Sequence, residues 1–320
     1  IDNILRKNRK NWNDLIEFLQ IGSADAWDVG EDEKPPAGQP GIPGDKPKDI
    51  CALELLLYIL EKYLDLKKHE YMGVALWILH THVFNGFMVS PRLALTSPVR
   101  GCGKTTLLSI LELLVHRAER TDGISPAAIY RLVDQRHCTL LVDEADNAEL
   151  RLNGPLRAVL NSGLLKGGAI TRIIKDMPKR FSTYSPMAIA AIGSLPLPLM
   201  HRSVVIHMER TDKKLELTLD DNTINDPQSK INLIYRQVLL WVSKHPPLNS
   251  NPEIPPELRN RQADNWRALL SIADSFDPGW GAAAREAAVI FARGYHDEDI
   301  GVALLKESSP CDSLRGLWSS

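Results

Sequence analysis

Leu93-Ala94-Leu95-Thr96 is a short apolar run of β character, and the chain leaves it through Ser97-Pro98-Val99-Arg100-Gly101-Cys102-Gly103-Lys104-Thr105-Thr106. An apolar helical period follows directly at Leu107, Leu108, Ile110, Leu111 and Leu114. A strand that turns through two glycines into a helix start leaves backbone amides without intrahelical partners, aimed outward where the helix dipole is positive. Gly101 and Gly103 let those amides converge, and the adjacent cation and hydroxyl of Lys104 and Thr105 complete a phosphate cradle. Lys-Thr-Thr at a buried helix start has little other reason to be there. A thiol role for Cys102 beyond packing would need a base, and the local sequence supplies none.

The pattern is that of a Walker A loop, departing from G-x-x-x-x-G-K-[ST] only at its first position, where Pro98 replaces glycine. Thirty-nine residues after Lys104, the apolar run Cys138-Thr139-Leu140-Leu141-Val142 ends in Asp143-Glu144-Ala145-Asp146. Two carboxylates at the end of a buried strand divide two tasks, as in a Walker B motif. Asp143 would hold Mg²⁺ together with Thr105, and Glu144 would orient and deprotonate an attacking water. The expected cofactors are therefore ATP and Mg²⁺, with Gly101, Cys102, Gly103, Lys104, Thr105 and Thr106 lining the phosphates. The letters Asp-Glu-Ala-Asp do not signal a DEAD-box helicase, because the rest of that motif series is not apparent.

Around these motifs, apolar β-like runs alternate with helical segments from Arg92 to Met208, which predicts a parallel sheet covered by helices on both faces. The expected class is α/β of P-loop type with an α-helical C-terminal lid. Boundaries are expected as follows: an N-terminal helical segment over 1–29, a linker over 30–49 with five prolines and four glycines, and a helical cap over 50–90. The ATPase core follows over 91–210, then a lid over 211–306 with helices near 229–244, 257–275, 281–293 and 297–306, and a tail over 307–320.

Between the carboxylate strand and the run Pro186 to Ile192, residues Leu164 to Ser182 carry five basic side chains and one acid on β-branched segments either side of a turn near Asp176 to Pro178. A β-hairpin is predicted. Lys166, Arg172, Lys175, Lys179 and Arg180 would meet nucleic-acid phosphates, with Phe181 or Tyr184 available for stacking, whereas the plain alternative is a solvated hairpin. His80 and His82, two residues apart on a helix, point to different faces and are not expected to ligate a metal.

With 38 basic against 40 acidic residues and 44% hydrophobic content, the whole is neither disordered nor a globally basic coat for nucleic acid. Four widely spaced cysteines without a CxxC pair suit a reducing cytoplasm. The uncharged stretch Phe181 to His201 contains three prolines and is not expected to span a membrane. The chain opens on Ile1 without a charged-then-apolar leader, so no signal peptide is expected, and flanking domains are open.

Taken in order, Pro91 to Pro98, Gly101 to Thr105, Leu140 to Asp146, Leu156-Arg157-Ala158-Val159-Leu160-Asn161-Ser162-Gly163, Ile189 to Gly193, and Asn265-Trp266 with Ile272-Ala273-Asp274 resemble the ATPase domain of phage, plasmid and mobile-element primase-helicases. The resemblance spans residues 50–306, and Ser-Pro before the loop is usual in that group. It implies an AAA+-like fold with the sensor strand between the Walker strands, Ser194 as polar sensor, and Arg202 reaching a neighbouring subunit's nucleotide. It also implies a lid arginine, for which Arg261 is the candidate, and a pre-sensor hairpin like that of superfamily 3 helicases. The implied activity is ATP-driven translocation on, or unwinding of, single-stranded or forked DNA by a homo-oligomeric ring such as a hexamer, working with a primase domain or protein. Two other classes stay open: a DNA-binding initiator or loader, and a defence ATPase acting on protein.

Overall fold

The computed structural model describes residues 51–121, 125–143, 154–215 and 229–307, with side chains in the last helix described as far as residue 294. The segments expected over 1–29 and 30–49, the tail beyond residue 307, and Glu144 lie outside the described residues.

Two helices, α1 (Ala52–Tyr63) and α2 (Lys68–Val83), lead into β1 (Arg92–Ser97). The chain continues through α3 (Lys104–Leu114), β2 (Ala118–Thr121), α4 (Pro126–Arg136), β3 (Thr139–Val142) and α5 (Gly154–Ser162). A hairpin of β4 (Ala169–Ile174) and β5 (Met177–Ser182) follows, then β6 (Met187–Ile192), α6 (Leu197–Met200), β7 (Ser203–His207), α7 (Lys230–Lys244), α8 (Arg261–Asp274) and α9 (Pro278–Glu307). Five strands make one sheet in the order β2-β3-β6-β1-β7, and all four pairings are parallel. The protein is thus α/β, with helices on both faces of a parallel sheet.

Alternation along the strands decides which helix layer each side chain meets. Leu93 and Leu95 of β1, Ala188 and Ala190 of β6, and Val204 and Ile206 of β7 join α1, α2, α3, α7, α8 and α9 in one core. Ala94, Leu140, Ile189, Ala191 and Val205 face the other way, onto α4, α5 and α6. All six residues of β1 are buried, as two covered faces require. Helix α2 is buried nearly all round, from Met72 to Thr81, because α1, α8 and α9 pack about it. The N-terminal helix pair and the C-terminal helices therefore share a single apolar core with the sheet.

Two local expectations are revised. Helices predicted near 281–293 and 297–306 are one continuous helix, α9, running through Gly294. A mid-helix glycine costs only about 1 kcal/mol, and Ala284, Ala287, Ala288 and Phe291 of α9 are buried in the shared core. The hairpin turn sits at Lys175 and Asp176, both at positive φ (49° and 61°), which is the type I′ geometry that suits twisted strands. Pro178 belongs to β5, opposite Ile173. No helix among the described residues is long and apolar enough to cross a membrane.

Within the core, His80 is fully buried and lies 3.1 Å from the Ser90 hydroxyl, while His82 faces the Leu114 carbonyl at 2.9 Å. Burial pushes the His80 pKa from 6.5 down to about 3, and that of His82 to about 4. The unfolded chain therefore takes up protons near pH 6.5 that the native core refuses, so stability falls as pH drops from about 6.5 toward 4. His80→Gln should reduce that slope by about 1.4 kcal/mol per pH unit. Urea denaturation at a series of pH values reads it, and an unchanged slope would place the His80 proton elsewhere.

Candidate functional site

The C-terminal ends of β1, β3, β6 and β7 converge on a cavity of about 900 Å³. Its floor is the Gly101–Thr106 loop, with Asp143 and Ile192 on one side and Leu64, Asp65 and the Met208–Lys213 segment on the other. Gly101 and Gly103 adopt left-handed φ of 78° and 86°, a region that charges a side-chain-bearing residue about 1–2 kcal/mol. Gly103 is the N-cap of α3, and a Cβ there would lie 3.5 Å from Met208 Cε and 3.8 Å from Leu64 Cδ2. The loop thus rests on an apolar wall while its amides start the helix. Cys102 is buried with its Sγ 3.3 Å from the Val99 carbonyl oxygen, so it packs the loop from beneath.

Lys104 donates from Nζ to Ser97 Oγ, and that hydroxyl donates to the Val99 carbonyl at 2.7 Å. The ammonium is therefore held over the root of the loop. The Thr105 carbonyl accepts from Ser109 one turn on, at 2.9 Å. Asp143 directly follows β3 and is 6% exposed, and its backbone amide donates to Thr121 O at 2.9 Å. Its Oδ2 accepts from Arg120 Nη2 at 2.8 Å. The β6 end is tied to the loop root by Gly193 N donating to Ser97 O at 2.8 Å, and the exposed Ser194 follows at that same end. Strand β6 lies between β1 and β3, so the two motif-bearing strands flank it.

Across the cavity, Arg210 donates from Nε and Nη2 to the Arg100 carbonyl at 3.3 and 3.2 Å. Asp65 accepts from Thr211 at 2.6 Å and from Lys213, and the Lys213 contact, followed by that of Thr211, holds its carboxyl below the ordinary carboxylate value. These bonds fasten the segment after β7 to the loop that leads into α3 and to the α1–α2 turn. Sequence reading missed Asp65, Arg120, Arg210 and Lys213. The charged run Arg210-Thr211-Asp212-Lys213 just after a buried strand was the available signal. For Arg120, an arginine inside a four-residue strand, the partner is visible only in three dimensions.

Other expected site residues lie at the opposite end of the sheet. Arg202 precedes β7, with Nη1 donating to the Pro198 carbonyl at 2.7 Å. Burial, and then the nearby charge of Arg261, lowers its pKa. Asn265, one turn into α8, donates to the His201 carbonyl at 3.1 Å, which fixes the start of α8 beside Arg202. Five β7 residues separate this pair from the cavity, about 16 Å of strand. Arg261 thus neighbours Arg202 rather than the cavity of its own chain.

The hairpin is rooted at that far end too, where Leu164 O accepts from Ser90 N and buried Arg92 bonds the carbonyls of Ser185 and Leu160. Arg172 lies 5.9 Å from the Tyr130 ring centre and Lys179 lies 5.0 Å from that of Phe181, both at cation–π distance. Lys166 Nζ donates to Asn85 O at 2.6 Å and Arg180 to Gly167 O at 2.9 Å, while Lys175 occupies the turn. Phe181 and Tyr184 are not available for stacking. The first is 3% exposed against Tyr130 with ring centres 4.8 Å apart, and the second is 7% exposed with its hydroxyl donating to the Phe84 and Phe87 carbonyls. At the tip, Ile173 and Met177 are instead the exposed apolar residues, each 69% exposed.

Residues 213–311 match a family model described as "Protein of unknown function (DUF3631)". The match covers just under a third of the chain, over the helices α7 to α9, and leaves the Gly101–Thr106 loop and Asp143 outside it. A comparison with curated proteins finds no match.

Proposed function

We propose that the cavity binds and hydrolyses ATP as a P-loop ATPase of AAA+ type, and that the chain is a DNA-directed motor of the kind found in mobile-element replication. One observation carries the reading: the strand order β2-β3-β6-β1-β7 brings the Gly-Cys-Gly-Lys-Thr loop and Asp143 to one cavity, with β6 between their strands. The donor set fits a hard divalent cation, since the Thr105 hydroxyl and the Asp143 carboxylate line that cavity beside Lys104. Mg²⁺ bound there would neutralise charge on the β and γ phosphates.

In this mechanism the amides of Gly101 to Thr106 and Lys104 hold the polyphosphate. Water attacks the γ phosphorus, the bond from that phosphorus to the β–γ bridging oxygen breaks, and ADP leaves with phosphate. Glu144 takes the water proton, and Ser194 stands near the sheet end where it would sense the γ phosphate. Arg202 is about 16 Å of strand from its own cavity, so any action on a transferring phosphoryl group is exerted on a neighbouring copy. That geometry favours a ring with sites shared between subunits, and makes Arg261 part of the same trans-acting face in place of a lid sensor. The α7 to α9 helices would supply the remaining lid contacts.

Lys166, Arg172, Lys175, Lys179 and Arg180 form a basic hairpin remote from the cavity, which supports single-stranded DNA as the track. A cation–π contact at an exposed site is worth only about 0.5–1 kcal/mol, so Arg172 and Lys179 can exchange ring faces for phosphates. Steady-state ATP turnover of the full chain should rise severalfold with single-stranded DNA, the stimulation should fade at raised salt, and Lys104→Ala should be inactive. Turnover indifferent to DNA would shift the reading to a protein-directed ATPase, and DNA binding without strand separation to an initiator or loader. Mixing Arg202→Ala with Lys104→Ala subunits should restore part of the lost turnover. No recovery in assembled mixtures would remove Arg202 from a role in trans.

A further inference from the structure

The cation seat carries a counter-charge that no motif describes. Arg120 stands on β2, the edge strand, and reaches across to Asp143 with Nη2 to Oδ2 at 2.8 Å. Its Nη1 donates to Ser109 Oγ at 3.0 Å and lies 3.4 Å from Glu112 Oε2, both on α3. Ser109 in turn holds the Thr105 carbonyl. The guanidinium is thus fixed on three sides, and the Asp143 side chain is only 9% exposed, so the pair is weakly screened by solvent. Arginine stays charged throughout the working pH range, which makes this a permanent positive charge at the carboxylate.

We propose that Arg120 acts as a charge brake on the cation seat: it keeps a bare divalent cation off Asp143, so that the cation enters only together with a nucleotide's phosphates. The inference rests on the nucleotide-site reading above. A divalent ion at Asp143 must sit within a few ångströms of the guanidinium, and at protein-surface dielectric that repulsion is worth about tenfold or more in affinity. The negative charge of a polyphosphate, held by the loop amides and Lys104, outweighs one guanidinium and admits the ion. A purely positioning role for Arg120 predicts the opposite sign, because losing the pair would leave Asp143 less ordered and cation binding weaker.

Mn²⁺ alone, titrated by electron paramagnetic resonance into the full chain, separates the two. Arg120→Gln should bind Mn²⁺ about tenfold or more tightly than wild type in the absence of nucleotide. Arg120→Lys, which keeps the charge, should stay near wild type, and adding Asp143→Asn to Arg120→Gln should erase the gain. Equal or weaker Mn²⁺ binding by Arg120→Gln, or a gain that survives Asp143→Asn, overturns the brake. Should Arg120→Gln fail to fold, wild type decides: Mn²⁺ bound as tightly alone as with a nonhydrolysable ATP analogue overturns it, and strong synergy supports it. Wild type that binds no analogue even with Mn²⁺ sinks the nucleotide-site reading itself, whereas analogue binding with unaltered Mn²⁺ affinity in Arg120→Gln sinks the brake alone.

Discussion

Everything in this molecule is referred to β1, a strand buried on both faces and paired on both edges. Its six residues lie between β6 and β7 with helix layers above and below, so it cannot shift register without exposing one apolar set and burying nothing in return. Because β1 is fixed, so is the point at which the chain leaves it. Ser97, Gly101 and Gly103 then set where the α3 amides emerge, and the Gly193-to-Ser97 bond ties the neighbouring strand to that same root. The cavity is a consequence of the sheet, not of the loop alone.

The sheet also separates two sets of residues by the length of a strand. At its C-terminal edge stand Lys104, Asp143 and the bonded Asp65, Thr211 and Lys213 group. At its N-terminal edge stand Arg202, Arg261 and the root of the basic hairpin. In the proposed motor this spacing divides labour: a chain's own nucleotide is held at one end, while the other end faces a neighbour and the DNA. Strands β1, β6 and β7 join the two ends directly, so a change at the loop has a short, stiff route to the hairpin base.

How much of this was legible follows from what kind of information each feature needs. The glycine-lysine-threonine loop and the carboxylates after a buried strand are local patterns, and the strand and helix alternation around them is a periodicity, so the α/β class could be read directly. Residues defined by partners far away in sequence could not. Arg120 and Asp143 are 23 positions apart and Asp65 and Lys213 are 148 apart, and nothing in either segment names the other. Phe181 and Tyr184 looked like stacking platforms because aromatic side chains next to basic ones are ambiguous until burial is known; here the core claimed both. The break expected inside α9 failed because a single mid-helix glycine is a weak interruption, costing only about 1 kcal/mol against a continuous helix.

If the Gly101–Thr106 amides hold a nucleotide's phosphates as proposed, amide hydrogen exchange with and without Mg–ATP reads it at those atoms. Strong protection is expected, confined first to residues 101–106 and the opening turn of α3, with the hairpin at 169–182 unchanged in the absence of DNA. Exchange at 101–106 that is identical with and without saturating nucleotide would contradict it.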